Sequence, residues 1–175
     1  METWSKQYYP AMLDLSCFNI YIIGGGKVAF RKVKQLLESG GEVTLISRSL
    51  DPLFEQISGR FDYCKQSYND DVLEKATLVI AATDNYELNK KIGLQCKEKG
   101  ILCNVVTEPM LSSFIVPASV RRGSLVISVS TEGKDPALAK EIRCELEERY
   151  NEKYSKYVEQ KGRIRKERLQ KKKNI

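Results

Sequence analysis

The feature that most constrains the fold is a strand that runs into three glycines and then into a helix. Residues 17–23 are mostly β-branched or aromatic, as in a short strand, and they stop at Gly24-Gly25-Gly26. Residues 27–39 then carry apolar side chains at helical spacing and end at Gly40-Gly41. Further predicted elements are strands over 42–46, 60–66, 77–82 and 101–106 and a helix over 86–99. This alternation predicts an α/β fold built on a parallel sheet.

The glycine segment also has the spacing of a phosphate-binding turn. Residues 24–29 match the pattern G-x-G-x-x-A. Gly24 permits the tight turn, Gly26 lets the backbone approach a pyrophosphate, and Ala29 packs the helix closely on the sheet. The free N–H groups of the helix then face the phosphates. The segment predicts a Rossmann-type dinucleotide site that includes Lys27 and Val28, with Gly25 in the same loop. The alternative is a glycine turn without a ligand.

The end of the second strand carries a serine-rich segment where a ribose-binding acid is usual. That acid stands about 20 residues after the glycines in many dinucleotide-binding proteins. Here the segment is Ser47-Arg48-Ser49, which we predict to contact the cofactor. A missing acid with a nearby arginine favours the 2′-phosphate of NADP. The alternative is that Arg48 is merely exposed to solvent or stacks on the adenine.

Polar residues follow the fourth and fifth strands, where open α/β sheets bind their ligands. We predict cofactor contacts from Ala82, Thr83 and Asn104. Asp84 and Glu108 are the acids expected on this rim, and they are the candidate catalytic residues. The alternative role for Asp84 is capping of the helix that follows it.

The pattern changes after Pro109. Two strand-like segments, 114–116 and 124–130, are predicted to form a hairpin through Arg121-Arg122-Gly123. Leu125, Ile127 and Val129 are expected on one face of the second strand. Asp135-Pro136 predicts the start of a helix whose apolar stripe is Leu138, Ile142, Leu146 and Tyr150. Residues 151–175 are predicted to continue as a solvated, mostly basic segment.

Composition excludes several classes of chemistry. The chain of 175 residues has no histidine, which excludes a Ser-His-Asp triad and a histidine metal site. Its five cysteines form no C-x-x-C pair, so neither a disulfide framework nor a zinc site is expected, and we predict no metal.

The positive charge is concentrated at one end of the chain. Residues 161–175 contain eight basic residues and one acid, while the whole chain carries +6, so the remainder is close to neutral. This distribution favours a solvated helix over a nucleic-acid-binding face. No apolar stretch approaches the ~20 residues of a membrane span, and residues 1–10 lack a signal-peptide pattern. We expect a cytoplasmic protein without a nucleic-acid or membrane partner.

Several ordered motifs together resemble the precorrin-2 dehydrogenase family, which forms the N-terminal part of siroheme synthases. The match covers about residues 10–150. Beyond the glycine segment with Arg31-Lys32, the matching segments are 81–85 with Asn89, 103–106, 113–117 and 130–139. The resemblance implies a Rossmann domain at 1–111, a small β-hairpin dimerisation region at 112–136 and a shortened helical C-terminal segment at 137–175.

The resemblance also implies an activity. Members of this family oxidise precorrin-2 to sirohydrochlorin in siroheme biosynthesis, use NAD as hydride acceptor and form homodimers. This preference favours NAD, with NADP as the alternative despite Arg48. Some members also act as ferrochelatases, so a bifunctional enzyme is one alternative function. A non-catalytic NAD(P)-sensing module is another, although residues 113–139 match the dehydrogenases and not such modules.

The chain departs from the family at one position of the rim. The family commonly has a catalytically important aspartate where this chain has Thr107, with Glu108 one position later. Either Glu108 substitutes for that aspartate or the activity is altered. The tetrapyrrole substrate carries many carboxylates, and arginine binds carboxylates with two hydrogen bonds. Arg121, Arg122 and Lys134 are therefore the predicted substrate contacts, with ordinary surface charges in turns as the alternative.

Overall fold

A computed structural model describes residues 6–173 of the chain. The described residues do not include residues 1–5, which belong to the segment predicted to lack a signal peptide. They also do not include the last two residues of the basic end. The described residues form two compact units, one of residues 8–115 and one of residues 116–173 together with residues 6 and 7. Within residues 6–173, no helix has the length and apolar character required to cross a bilayer.

The first unit is a five-stranded parallel sheet with helices on both faces. Its strands lie in the order β3-β2-β1-β4-β5. The strands are β1 Ile20–Ile23, β2 Val43–Ile46, β3 Asp62–Cys64, β4 Leu78–Ala81 and β5 Leu102–Val105. The helices are α1 Lys27–Glu38, α2 Val72–Lys75 and α3 Tyr86–Lys99, with short 3-10 helices at Leu15–Cys17, Pro52–Ile57 and Pro109–Leu111. The predicted α/β, Rossmann-type fold is confirmed.

Alternating residues of the strands supply two separate cores. Ile20 and Ile22 of β1 pack with α1 and the 3-10 helix at Pro52–Ile57, whereas Ile23 packs on the opposite face with Ile92 of α3. Strand β4 is buried along its whole length. Such strands are apolar on both faces because helices cover both. The carboxyl ends of β1, β4 and β5 therefore meet at one edge of a rigid platform.

The element limits largely follow the sequence patterns. Helix α3 has the predicted bounds, and it ends at Gly100, whose φ of 68° is the left-handed conformation that a helix-ending glycine adopts. The first strand is shorter than predicted, because Leu15–Cys17 forms a 3-10 helix that Asp14 caps through the backbone N–H of Ser16.

The second unit contains an antiparallel hairpin and two helices. These are β6 Ala118–Arg122, β7 Leu125–Val129, α4 Pro136–Arg149 and α5 Lys153–Lys173. Helix α4 begins as predicted, with the Asp135 side chain accepting a hydrogen bond of 2.9 Å from the Leu138 backbone N–H. The stripe of α4 differs from the prediction, because Leu138 is 44% exposed and Ala139 is buried instead.

The first strand of the hairpin was predicted wrongly. Phe114 packs against the core of the first unit, and its carbonyl accepts a hydrogen bond from Asn104, so residues 114–116 do not pair with β7. Arg121 and Arg122 belong to β6, where they pair with Val126 and Leu125. The turn therefore consists of residues 123 and 124 only, and Gly123 has a φ of 57°.

Candidate functional site

Two of the three loop glycines are required by the fold itself. Gly24 has a φ of 120°, and a Cβ there would collide with the backbone carbonyl of Ala82 at the end of β4. A Cβ on Gly25 would collide with the carbonyl oxygen of Ser49, which follows β2. The loop is further held by a hydrogen bond of 2.8 Å from the Asp51 N–H to the Gly25 carbonyl. These glycines allow three strand ends to approach each other closely.

Gly26 differs from its neighbours because the protein around it leaves room for a side chain. Its φ of −85° suits any residue, and among the described residues no heavy atom beyond its two chain neighbours lies within 4 Å of a Cβ added there. No side chain caps α1 at this end. The first backbone N–H groups of the 12-residue helix therefore face open space, as an anion-binding helix end requires. Lys27 and Val28 begin this helix, and the loop fits a dinucleotide pyrophosphate.

The segment after β2 is ordered by its own hydrogen bonds. The Ser47 hydroxyl donates to the Ser49 carbonyl at 2.7 Å, and the Tyr63 hydroxyl donates to the Ser47 carbonyl at 3.1 Å. Arg48 is exposed, and its guanidinium forms no hydrogen bond or ion pair within residues 6–173. A cavity of about 330 Å³ beside Asp51 and Tyr63 includes none of the predicted site residues.

A buried asparagine connects the ends of β4 and β5. The Asn89 Oδ1 accepts hydrogen bonds from the backbone N–H of Thr83 at 3.1 Å and from its hydroxyl at 2.7 Å. The Asn89 Nδ2 donates to the Thr83 carbonyl at 2.9 Å and to the Thr107 Oγ1 at 3.3 Å. Sequence reasoning identifies Asn89 only as part of the family motif with residues 81–85. It misses the role of Asn89 in linking two strand ends, because the hydrogen-bond partners lie six and eighteen residues away.

Asp84 is an exposed acid without a partner in the protein. Its carboxylate forms no hydrogen bond or ion pair within the described part of the chain. The alternative role in helix capping is wrong, because Asn85 caps α3 through a hydrogen bond of 3.0 Å from the Leu88 N–H. The Asp84 carboxylate is therefore free to meet a ligand at this rim.

Glu108 lies in a turn and already has a partner. Its backbone N–H donates to the Val105 carbonyl at 3.3 Å, so the chain bends directly after β5. The Tyr86 hydroxyl donates to the Glu108 Oε2 at 2.8 Å. This hydrogen bond raises the pKa of the Tyr86 hydroxyl, because the carboxylate disfavours a second negative charge beside it. Both candidate acids thus flank the start of α3, but only Glu108 is engaged.

Asn104, Ser112 and Ser113 form hydrogen bonds along the outer edge of β5. The Ser112 hydroxyl accepts a hydrogen bond of 2.9 Å from the Val105 N–H, and the Ser113 hydroxyl accepts one of 2.7 Å from the Cys103 N–H. The Asn104 Nδ2 donates to the Phe114 carbonyl at 3.2 Å. These contacts satisfy an edge strand that would otherwise present open backbone groups. They give Asn104 a structural contact, and its cofactor contact remains a prediction.

The cationic residues that are predicted to bind the substrate lie in the second unit, and they differ in their surroundings. Arg121 and Lys134 are exposed. The Arg122 side chain is 14% exposed, and its guanidinium nitrogens lie 3.3 Å from a Glu147 carboxylate oxygen and 3.2 Å from one of Glu152. Arg122 is therefore already paired with two carboxylates, whereas Arg121 and Lys134 are available to a ligand.

The cysteines and the acids do not assemble into a metal site in the described residues. No group of three or more potential ligands comes together within residues 6–173. All five cysteines are free thiols, and Cys96 and Cys103 are buried against each other in the core beneath α3. The hydrogen bond with the neighbouring Cys96 thiol and then burial raise the pKa of Cys103, which keeps this thiol protonated at neutral pH.

Comparison with known proteins identifies the family of the glycine-loop unit. A family model described as NAD(P)-binding matches residues 11–118. The chain belongs to this NAD(P)-binding family. A nicotinamide dinucleotide is accordingly the cofactor class of this unit.

The relatives extend the match beyond that unit. The chain is 38% identical over 142 residues to siroheme synthase 1 of Serratia proteamaculans, covering 80% of the chain and 30% of the relative. It is 35% identical over 158 residues to siroheme synthase 2 of Aeromonas salmonicida, covering 90% and 33%. The chain thus spans about a third of these relatives.

A solved structure has the same fold over most of the chain. It is a precorrin-2 dehydrogenase, SirC, with a TM-score of 0.74 and 25% sequence identity, and the match covers 87% of this chain and 76% of that chain. The resemblance to the precorrin-2 dehydrogenase and siroheme synthase family that the motifs predict is confirmed.

Proposed function

We propose that the chain is a precorrin-2 dehydrogenase that oxidises precorrin-2 to sirohydrochlorin with NAD in siroheme biosynthesis. The observation that carries this proposal is the pairing of two features on one sheet edge. The uncapped start of α1 faces open space at Gly26, and the exposed Asp84 carboxylate lies free on the strand end that contacts Gly24. Relatives named as siroheme synthases and a matching dehydrogenase structure support the assignment.

Each predicted site residue has a role in the proposed reaction. The loop at residues 24–28 holds the pyrophosphate, residues 47–49 lie toward the adenosine ribose, and Ala82, Thr83 and Asn104 lie toward the nicotinamide. When bound, the nicotinamide accepts the hydride. The hydride leaves a saturated carbon of the macrocycle, and Asp84 accepts the proton that leaves an atom conjugated with that carbon, whose bonding electrons complete the new double bond. No histidine exists to take this role. Arg121 and Lys134 bind carboxylates of the substrate.

The assay for this function is an anaerobic incubation of the chain with precorrin-2 and NAD. We expect the absorbance of sirohydrochlorin and that of reduced cofactor to rise together in equal amounts. Binding of NAD without any turnover would instead favour the NAD(P)-sensing module. The cytoplasmic location expected from the sequence belongs to this proposal, since the reaction draws on the intracellular dinucleotide pool.

We predict a preference for NAD over NADP because the precorrin-2 dehydrogenases that the chain resembles use NAD, although Arg48 by itself favours NADP. Arg48 is exposed and unpaired within the described residues, so it offers a 2′-phosphate one charged contact of the kind worth about 1.5–3 kcal/mol. Calorimetry should show tighter binding of NAD to the wild-type chain. Arg48→Ala should weaken NADP binding by about tenfold and leave NAD binding unchanged. Tighter NADP binding by the wild type would contradict the preference.

We propose that the chain forms a homodimer, and the small core of the second unit supports this proposal. Within residues 116–173 only Val120 and Ala139 are buried apolar residues, and the face of β7 that carries Ile127 is half-buried. So small a core leaves apolar surface for a second copy to cover.

Light scattering at micromolar concentration should give twice the chain mass of 20.0 kDa. Ile127→Asp should reduce the mass to that of the monomer, because it places a charge in the interface. Ser128→Asp, which adds the same charge on the opposite, exposed face of β7, is the matched control and should remain dimeric. A wild-type monomer would contradict the proposal.

A further inference from the structure

Asn89 is a fully buried amide in the middle of a helix, where an apolar residue would be the ordinary choice. Its exposed fraction is 0%, and it lies one turn before Ile92 and Gly93, which are also buried. Asparagine is a weak helix former, and burying an amide costs free energy unless its groups are hydrogen-bonded. Something other than helix stability or core packing therefore accounts for an asparagine at this position.

All the hydrogen-bonding groups of this amide are used, and all point to the rim. Asparagine offers two donors and two acceptor sites. The Oδ1 accepts hydrogen bonds from the backbone N–H and from the hydroxyl of Thr83. The Nδ2 donates to the Thr83 carbonyl and to the Thr107 Oγ1. No backbone bond between β4 and β5 reaches as far as Thr83 and Thr107, because the ladder ends at Ala81 and Val105. Asn89 thus continues the link between the two strands past the end of the sheet.

The placement of Asp84 depends on this link. Its carboxylate has no contact of its own in the described residues, so its position is set by the backbone of Thr83, which precedes it. That backbone is held at both its N–H and its carbonyl by Asn89. Glu108 directly follows Thr107, whose side chain is the other end of the link.

We propose that Asn89 is a positioning residue of the reaction, which fixes the ends of β4 and β5 so that Asp84 and Glu108 keep their places beside the cofactor. This inference rests on the proposed dehydrogenase function. Asn89 touches neither substrate nor cofactor in this account. Asn89 acts on the positions of the two acids. Loss of Asn89 should therefore lower kcat and leave the affinity for the dinucleotide unchanged. A displacement of about 1 Å at a reacting group costs up to about 10²-fold in rate.

The first test is Asn89→Leu, which keeps a similar size and removes every hydrogen bond of the link. The expected result is a fall of kcat by at least about tenfold, with the NAD dissociation constant and the KM for precorrin-2 changed by less than about threefold. A residue with a purely structural role would lower the amount of folded enzyme, and the kcat per folded active site would stay at the wild-type value.

The second test avoids a change in the core. Thr107→Val alters an exposed side chain and removes only the acceptor at the β5 end, so folding is preserved. We expect a smaller fall of kcat, about threefold to tenfold, again without a change in NAD affinity. Thr77→Val is the matched control, because the Thr77 Oγ1 likewise is exposed and accepts one hydrogen bond, of 2.8 Å from Asn19, at the opposite edge of the sheet. Its kcat should equal that of the wild type.

Three results would overturn the proposal. One is a kcat of folded Asn89→Leu that equals the wild-type value. Another is a kcat of Thr107→Val that equals the wild-type value, and this result alone tests the proposal if Asn89→Leu does not fold. The third is an equal fall of kcat in Thr77→Val. Absence of turnover in the wild-type chain itself would overturn the proposed function, and the positioning role with it. The wild-type measurement therefore distinguishes the two failures.

Discussion

Gly26→Asp is expected to lose all measurable NAD binding while its melting temperature without ligand stays at the wild-type value. The backbone at Gly26 has a φ that any residue adopts, and the described protein leaves the space around its Cβ empty. The substitution is therefore neutral for the fold. The new carboxylate would meet the pyrophosphate at contact distance and repel it. Calorimetry with NAD and a thermal melt of the same sample measure the two effects.

Two other glycines serve as controls for this variant. Gly162→Asp also adds a carboxylate at an open glycine, but in α5, and it should bind NAD like the wild type. Gly24→Ala should lose stability as well as binding, because its φ of 120° and the Ala82 carbonyl both exclude a Cβ. We expect its melting temperature to fall by at least ~2–4 °C. Unchanged NAD affinity in Gly26→Asp would contradict the assignment of the loop as the pyrophosphate site.

Asp84→Asn is expected to lower kcat by about 10²-fold or more, the usual effect of losing a general base. The Asp84 carboxylate is exposed and unpaired in the described chain, so it is available to accept the proton. The amide retains the size of the side chain and removes its basicity. NAD affinity should stay nearly the same, because the pyrophosphate is held elsewhere. Single-turnover kinetics with precorrin-2 under anaerobic conditions separates the chemical step from binding.

Glu108→Gln is the companion variant, and we expect a smaller effect from it. The Glu108 carboxylate already accepts a hydrogen bond of 2.8 Å from Tyr86, so one of its oxygens is occupied. Tyr86→Phe removes that hydrogen bond and leaves Glu108 free, so it separates the role of the acid from that of its partner. Full turnover in Asp84→Asn with a large loss in Glu108→Gln would reverse the ranking. Full turnover in both would exclude a carboxylate base.

Much of the fold was predictable because its signals are local in the sequence. The glycine spacing, the capping Asp135 and the limits of α3 each depend on residues that are neighbours along the chain. The bend of the chain after β5 also has a local signal, since Glu108 directly precedes Pro109.

Sequence patterns were least informative where the structure of a segment depends on contacts with residues that are distant in sequence. Residues 114–116 have strand propensity, yet Asn104 and the first core hold Phe114, and β6 begins only at Ala118. The substrate contact of Arg122 stays a prediction, but no local pattern shows that the fold places two carboxylates of its own unit beside the guanidinium. Neither pairing has a signature within a short window of sequence.

The sequence by itself determined the parallel α/β architecture and the family, and it predicts the dinucleotide loop at Gly26, since periodicity and glycine spacing act through adjacent residues. Only the tertiary structure decided which candidate acid is free, because Tyr86 binds Glu108 across 22 positions of sequence while Asp84 has no partner among the described residues. It also revealed Asn89 as the link between two strand ends. Contacts of this kind arise when the sheet brings distant segments to one edge, and the residues involved give no sign of it before the chain is folded.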